Sequence, residues 1–105
     1  MFDRAKCLDI AKKIVESDRQ NSYGNPENNF QRIANLWNSY LDDPKIKLNA
    51  VDVSAMLALL KIARIKSNPK HADNFIDLAG YAACGFEIVS GRNQWPQPLE
   101  ENDNE

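Results

Sequence analysis

The chain reads as an all-α protein, an antiparallel four-helix bundle with a mobile acidic C-terminal tail. Three observations predict it. Apolar residues recur at three- and four-residue spacing in successive segments, short Asn-, Pro- and Gly-bearing breaks separate those segments, and no stretch sustains period-two alternation. Short connections favour antiparallel neighbours. No glycine-rich phosphate loop follows a strand, which removes the doubly wound nucleotide folds.

The first helix is predicted from about Asp3 to Ser17, with Ala5, Cys7, Leu8, Ala11, Ile14 and Val15 on its apolar face. Tyr23-Gly24-Asn25-Pro26 breaks the pattern; Asn25 can cap the second helix, and Pro26 suits a first turn where a missing N–H costs nothing. Phe30, Ile33, Ala34, Trp37, Tyr40 and Leu41 then share one face until Asp42-Asp43-Pro44 stops the helix. After the connector Lys45 to Leu48, Asn49 is the expected cap of a third helix, with Asp52 near its positive end. Val51 to Ile65 is apolar nearly all round until Lys61, which predicts the central helix of the bundle. Ser67-Asn68-Pro69 ends it. The fourth runs from about His71 or Asp73 to Ser90, closed by Gly91. The core expected from these faces is Phe30, Ile33, Trp37, Val53, Met56, Leu57, Leu60, Ile76 and Leu78. One helical domain over residues 1–91 is predicted, and 92–105, ending Glu-Glu-Asn-Asp-Asn-Glu, is the tail.

Composition limits the function classes. Thirteen Lys and Arg against 15 Asp and Glu give a net charge of −2, which argues against general nucleic-acid binding. It leaves room for a small phosphorylated ligand held by local cations. No apolar stretch is long enough for a membrane span, and Met-Phe-Asp-Arg-Ala-Lys has no signal-peptide core, so a cytoplasmic protein without a membrane partner is expected. Two cysteines, Cys7 and Cys84, and the single His71 cannot supply a four-ligand zinc site; buried thiols and a loop histidine are the simpler reading.

The residues that bear chemistry gather late in the chain. Lys61 and Arg64 interrupt an apolar helix near its end, and Asp73, Asp77 and Tyr81, four apart, form one stripe on the next. Ala79, Gly80, Ala82, Ala83 and Gly85 around that stripe allow close helix approach. Carboxylates beside Lys and Arg can hold a magnesium–phosphate group, with Asp73 and Asp77 as metal ligands and Lys61 and Arg64 on phosphate; they can equally be ion pairs. Arg19 can clamp a phosphate or pair with Asp18 or Glu27. Tyr23, beside Gly24, can stack on a base or simply fill a turn. Asn29 can read a polar ligand edge. The apolar third helix and the small-residue face of the fourth predict a homo-oligomer.

Asp18-Arg19-Gln20, Tyr23-Gly24-Asn25-Pro26-Glu27-Asn28-Asn29-Phe30 and Ile33-Ala34-Asn35-Leu36-Trp37 resemble the opening of a small family of uncharacterised phage and prophage proteins. Asp52-Val53, Leu59-Leu60-Lys61-Ile62-Ala63-Arg64 and Asp77-Leu78-Ala79-Gly80-Tyr81-Ala82-Ala83 resemble its second half. A more distant likeness is to MazG-like all-α nucleotide pyrophosphohydrolases, in which a segment similar to Asp77-Leu-Ala-Gly-Tyr81 supplies metal ligands. The Glu-x-x-Glu helix that those enzymes pair with it has no counterpart here, and Glu16 or Asp52 would have to complete the carboxylate set.

Three functions fit this pattern. One is a magnesium-dependent pyrophosphohydrolase, with a metal-bound hydroxide attacking a phosphoanhydride. The second is a protein that sequesters a nucleotide or cyclic nucleotide, an anti-defence role in a phage setting. The third is an oligomeric structural or regulatory adaptor.

Overall fold

Side-chain caps set where the helices begin. The computed structural model describes residues 1–19 and 25–91, with the backbone alone for 17–19. Asp3 accepts from the Lys6 N–H at 2.9 Å and opens α1 (Arg4–Lys13), which continues as a π-helical turn, Ile14–Arg19. Asn25 accepts from the Asn28 N–H at 2.9 Å, Pro26 takes the first position, and α2 spans Pro26–Leu41. It ends at Asp42, whose φ of 50° lies in the left-handed region that Asp tolerates better than most residues. A reciprocal pair starts α3 (Ala50–Ser67): Asp52 N–H donates to Asn49 at 3.0 Å, and Asn49 N–H to the Asp52 carboxylate at 2.9 Å. Helix α4 (Asp73–Ser90) closes on Gly91 at φ 71°. Four α-helices and no strand make up the described residues.

The connector between α2 and α3 is held from below by α2. Asn38 donates to the Leu48 carbonyl and accepts from the Leu48 N–H, both at 2.9 Å, and Gln31 accepts from Ala50 N–H at 3.2 Å. These bonds satisfy backbone groups that the chain cannot pair locally.

The core lies where α2, α3 and α4 meet. Phe30, Ala34, Ala50, Val53 and Cys84 are buried there, with Val15, Ile33, Trp37, Leu48, Leu57, Tyr81 and Ile88 packed around them. Trp37 is half-buried rather than sealed, so Phe30 is the large side chain at the centre. Two expected core residues, Met56 and Leu60, are exposed. The reason lies in the layout: α4 packs on α1, α2 and α3, whereas α3 packs chiefly on α4 and α2. The fourth helix is therefore the central one, not the third. Apolar residues circle α3, but only the side that carries Val53, Ser54 and Leu57 is covered, and Met56, Leu59, Leu60 and Ile62 face outward. The predicted tail, Trp95 included, lies outside the described residues.

Helices α3 and α4 run in opposite directions. Ser54 donates its hydroxyl to the Tyr81 carbonyl at 2.7 Å, and Lys61 meets Asp77 further along. Beyond that, Arg64 lines the same cleft as Asn74. The contacts climb α3 as they descend α4.

Candidate functional site

Lys61 sits in the C-terminal half of α3, and its ammonium lies 2.9 Å from the Asp77 carboxylate. The Lys61 side chain is 13% exposed and that of Asp77 39%, so the pair is half-desolvated. Such a pair stands between exposed pairs, worth little, and buried ones, whose broken partner is costly. Asp77→Ala should cost about 1–2 kcal/mol, discounted from the buried case for solvent screening. Lys61→Met/Asp77→Ala should recover most of that loss, because no lone charge remains. Urea midpoints of the three proteins check this; an Asp77→Ala midpoint equal to wild type would show that the pair contributes nothing.

One turn on, Arg64 behaves differently. The sequence leaves Lys61 and Arg64 either facing a cleft or pairing with Asp73 and Asp77; Arg64 forms no ion pair with a described residue, and Asp73 is exposed at the first position of α4. Arg64 instead lines an open cleft of about 250 Å³ with Ser67, Asn68, His71 and Asn74. Ser67 donates to the Ala63 carbonyl at a long 3.4 Å. The Asn68 N–H donates to the Arg64 carbonyl at 2.9 Å, and the Asn74 N–H to that of His71 at 3.1 Å, so the walls are fixed by backbone bonds.

Other candidates fall elsewhere. Tyr81 is half-buried against the core, and its carbonyl takes the Ser54 hydroxyl. Asn29 is half-buried in the first turns of α2, its N–H donating to the Asn25 carbonyl at 3.2 Å. The Arg19 side chain, Tyr23 and Gly24 lie outside the described residues. Asp52, a candidate to complete a carboxylate set, is engaged in the cap of α3, and Glu16 is exposed on the π-helical turn. Among the described residues no three His, Cys, Asp or Glu side chains gather where a metal could sit. Ser67, Asn68 and Asn74 were not singled out by sequence, and His71 was read only as a loop residue. One signal could have found Asn74: it stands three residues before Asp77, as Arg64 stands three after Lys61, so opposed helices that join Lys61 to Asp77 also bring Arg64 to Asn74.

Fold and site together define a small all-α protein with a polar, cation-bearing cleft between its last two described helices. Residues 6–89 match the model of a family described as "Domain of unknown function (DUF6378)", and the chain belongs to that family. It is similar to the Gene 55 protein of Mycobacterium phage D29, 39% identical over 77 residues that make up 73% of this chain and 49% of the relative. It is similar also to the Gene 55 protein of Mycobacterium phage L5, 40% identical over 75 residues, 71% of this chain and 47% of that one. The chain thus spans about half the length of these relatives. The expected kinship with uncharacterised phage proteins is supported. No solved structure matches. No helix among the described residues is long and apolar enough to cross a membrane.

Proposed function

We propose that the protein binds a small phosphorylated ligand, a nucleotide, and holds it without hydrolysing it, in the cytoplasm of the host cell if phage-encoded. The observation that carries this reading is Arg64, a guanidinium with no ion-pair partner among the described residues, at an open polar cleft. Arginine's planar fork of N–H donors matches phosphate oxygens two at a time. Capture is favoured over turnover because the carboxylate that the hydrolase reading assigns to magnesium, Asp77, is already 2.9 Å from an ammonium. Phosphoanhydride hydrolysis needs carboxylates free to hold the metal.

A specific observation also favours the adaptor reading: Leu59, Leu60, Ile62 and Val89 are 46–67% exposed. Apolar side chains in that number fit a surface covered by another chain, and a second copy of this one is the proposed partner. Nucleotide capture and self-association are compatible.

One experiment separates the readings. Purified protein is incubated with mono-, di-, tri- and cyclic nucleotides, with and without magnesium, and retained ligand, ligand mass and oligomer mass are followed together. Capture predicts a ligand recovered chemically intact, affinity indifferent to EDTA, and a loss of about 1.5–3 kcal/mol of binding in Arg64→Ala, one charged hydrogen bond. Metal-dependent release of pyrophosphate or phosphate, abolished by Asp77→Asn, would establish the hydrolase instead, with Asp73 and Asp77 on magnesium. Failure of every nucleotide to bind, with an oligomeric mass by light scattering, would leave the adaptor.

A further inference from the structure

We propose that the corner where α3 ends and α4 begins is a subsite for a terminal phosphoryl group, with Arg64 as its charge partner and Asn74 as its fixed neutral donor. The inference rests on the nucleotide-binding reading and locates one part of the ligand. Asn74 is 5% exposed, yet its carboxamide forms no hydrogen bond with a described residue. The polar atoms of Asn74 are not sealed, since among the described residues it is Ser90 Oγ that is buried without a partner; the little surface Asn74 keeps opens on the cleft. Asn74 lines the cleft, so a ligand there can satisfy it.

The chemistry of the lining selects an anion. Arg64, Asn68, His71 and Asn74 offer N–H donors, the Ser67 O–H could join them only by leaving its long bond to the Ala63 carbonyl, and no carboxylate is among the lining residues. Around the cleft the sequence is locally basic in a chain of net charge −2: between Ile62 and Asn74, Arg64, Lys66 and Lys70 stand against Asp73 alone. A cleft lined by one sign of charge concentrates the opposite ion. Helix α4 also begins without a side-chain cap, so the positive end of its dipole borders this corner. The carbonyl end of α3 opposes that field, which leaves the Arg64 charge as the main attraction.

Size and donor number narrow the ligand further. About 250 Å³ is below the range of pockets that enclose a whole small ligand, so the phosphoryl end enters while sugar and base remain outside. Five polar side chains suit the three free oxygens of a phosphomonoester better than the two of a cyclic diester, which also carries less charge. The site should therefore prefer a terminal phosphate to a cyclic one.

The test follows the Asn74 and Asn68 side-chain amide resonances of the full chain while inorganic phosphate, 5′-AMP or 3′,5′-cyclic AMP is titrated in. Saturable shifts at both amides are expected with phosphate and 5′-AMP, with cyclic AMP at least about tenfold weaker. Arg64→Gln should weaken phosphate by about tenfold or more, the effect of losing one charged hydrogen bond. Both Arg64 and His71 are exposed, so Arg64→Gln and His71→Gln probe the site without disturbing the core. Wild-type phosphate affinity in Arg64→Gln, or no response at Asn74, would overturn the assignment. If 5′-AMP binds while Asn74 stays silent, the subsite is wrong and nucleotide capture stands. If phosphate saturates Asn74 while no nucleotide in the panel binds, the subsite holds as an oxyanion site and the nucleotide reading falls.

Discussion

Phe30→Ala is expected to lose about 3–5 kcal/mol of stability, the cost of emptying a large aromatic site in a core that relaxes only in part. Phe30 is 1% exposed, and its buried companions Ala34, Ala50, Val53 and Cys84 are too small to refill the space. Against the roughly 5–15 kcal/mol that holds a domain of this kind together, the loss is a large share of the total. Tyr40 on the same helix is 88% exposed, and Tyr40→Ala should stay within about 0.5 kcal/mol of wild type. Urea midpoints at one fixed protein concentration compare the two, because self-association would add concentration dependence. If Phe30→Ala does not fold, Phe30→Leu should fold with a smaller loss. Equal midpoints for Phe30→Ala and Tyr40→Ala would show that the core lies elsewhere.

Much of the helix layout was legible because the signals are local. Asn25 with Pro26, Asn49 with Asp52, and Gly91 mark helix ends through bonds made within a few residues, and the structure places ends there. The π-helical turn after Lys13 was not legible, since no composition rule distinguishes it from more α-helix. The role of α3 was misread for another reason. Apolar residues on every side show that a helix avoids water somewhere, without saying whether its own chain or another one covers it. The apolar pattern alone puts Met56 and Leu60 in the core, and both are exposed.

The candidate site was legible in its charges and not in its pairing. Lys61 and Asp77 meet because the cation of an apolar helix and a carboxylate of the small-residue helix facing it stand at the same height. For Arg64 the sequence leaves open a cleft or a pairing with Asp73 and Asp77. The opposed register brings it to the cleft that Asn74 lines, and an uncharged amide leaves little trace in a pattern of charges. Ion pairs are found by complementarity in sequence; a neutral side chain that packing brings to a cleft is found only once the helices are placed.

The two glycines of α4 should respond to alanine with opposite signs. Among the described residues, a Cβ at Gly80 would meet Val15 Cγ1 alone, at 3.6 Å, which is ordinary contact. Gly80→Ala should therefore gain about 0.4–1 kcal/mol by restricting the unfolded chain and favouring helix. A Cβ at Gly85 would stand 2.5 Å from the Ser54 hydroxyl oxygen, which is held by its 2.7 Å bond to the Tyr81 carbonyl. The helices must part there or the hydroxyl must leave its bond, and overpacking of this kind costs about 1–3 kcal/mol, more than helix propensity returns. Ser54→Ala removes the obstructing atom and leaves the new methyl 3.4 Å from the Ser54 Cβ, tight but tolerable. Ser54→Ala alone should lose about 0.5–1.5 kcal/mol with its hydrogen bond. In Ser54→Ala/Gly85→Ala the clash is gone, so the double variant should be more stable than the two single losses add up to, by about 1 kcal/mol or more. Thermal or urea unfolding of the four proteins closes the cycle. Strict additivity would mean that α3 and α4 do not touch at this crossing.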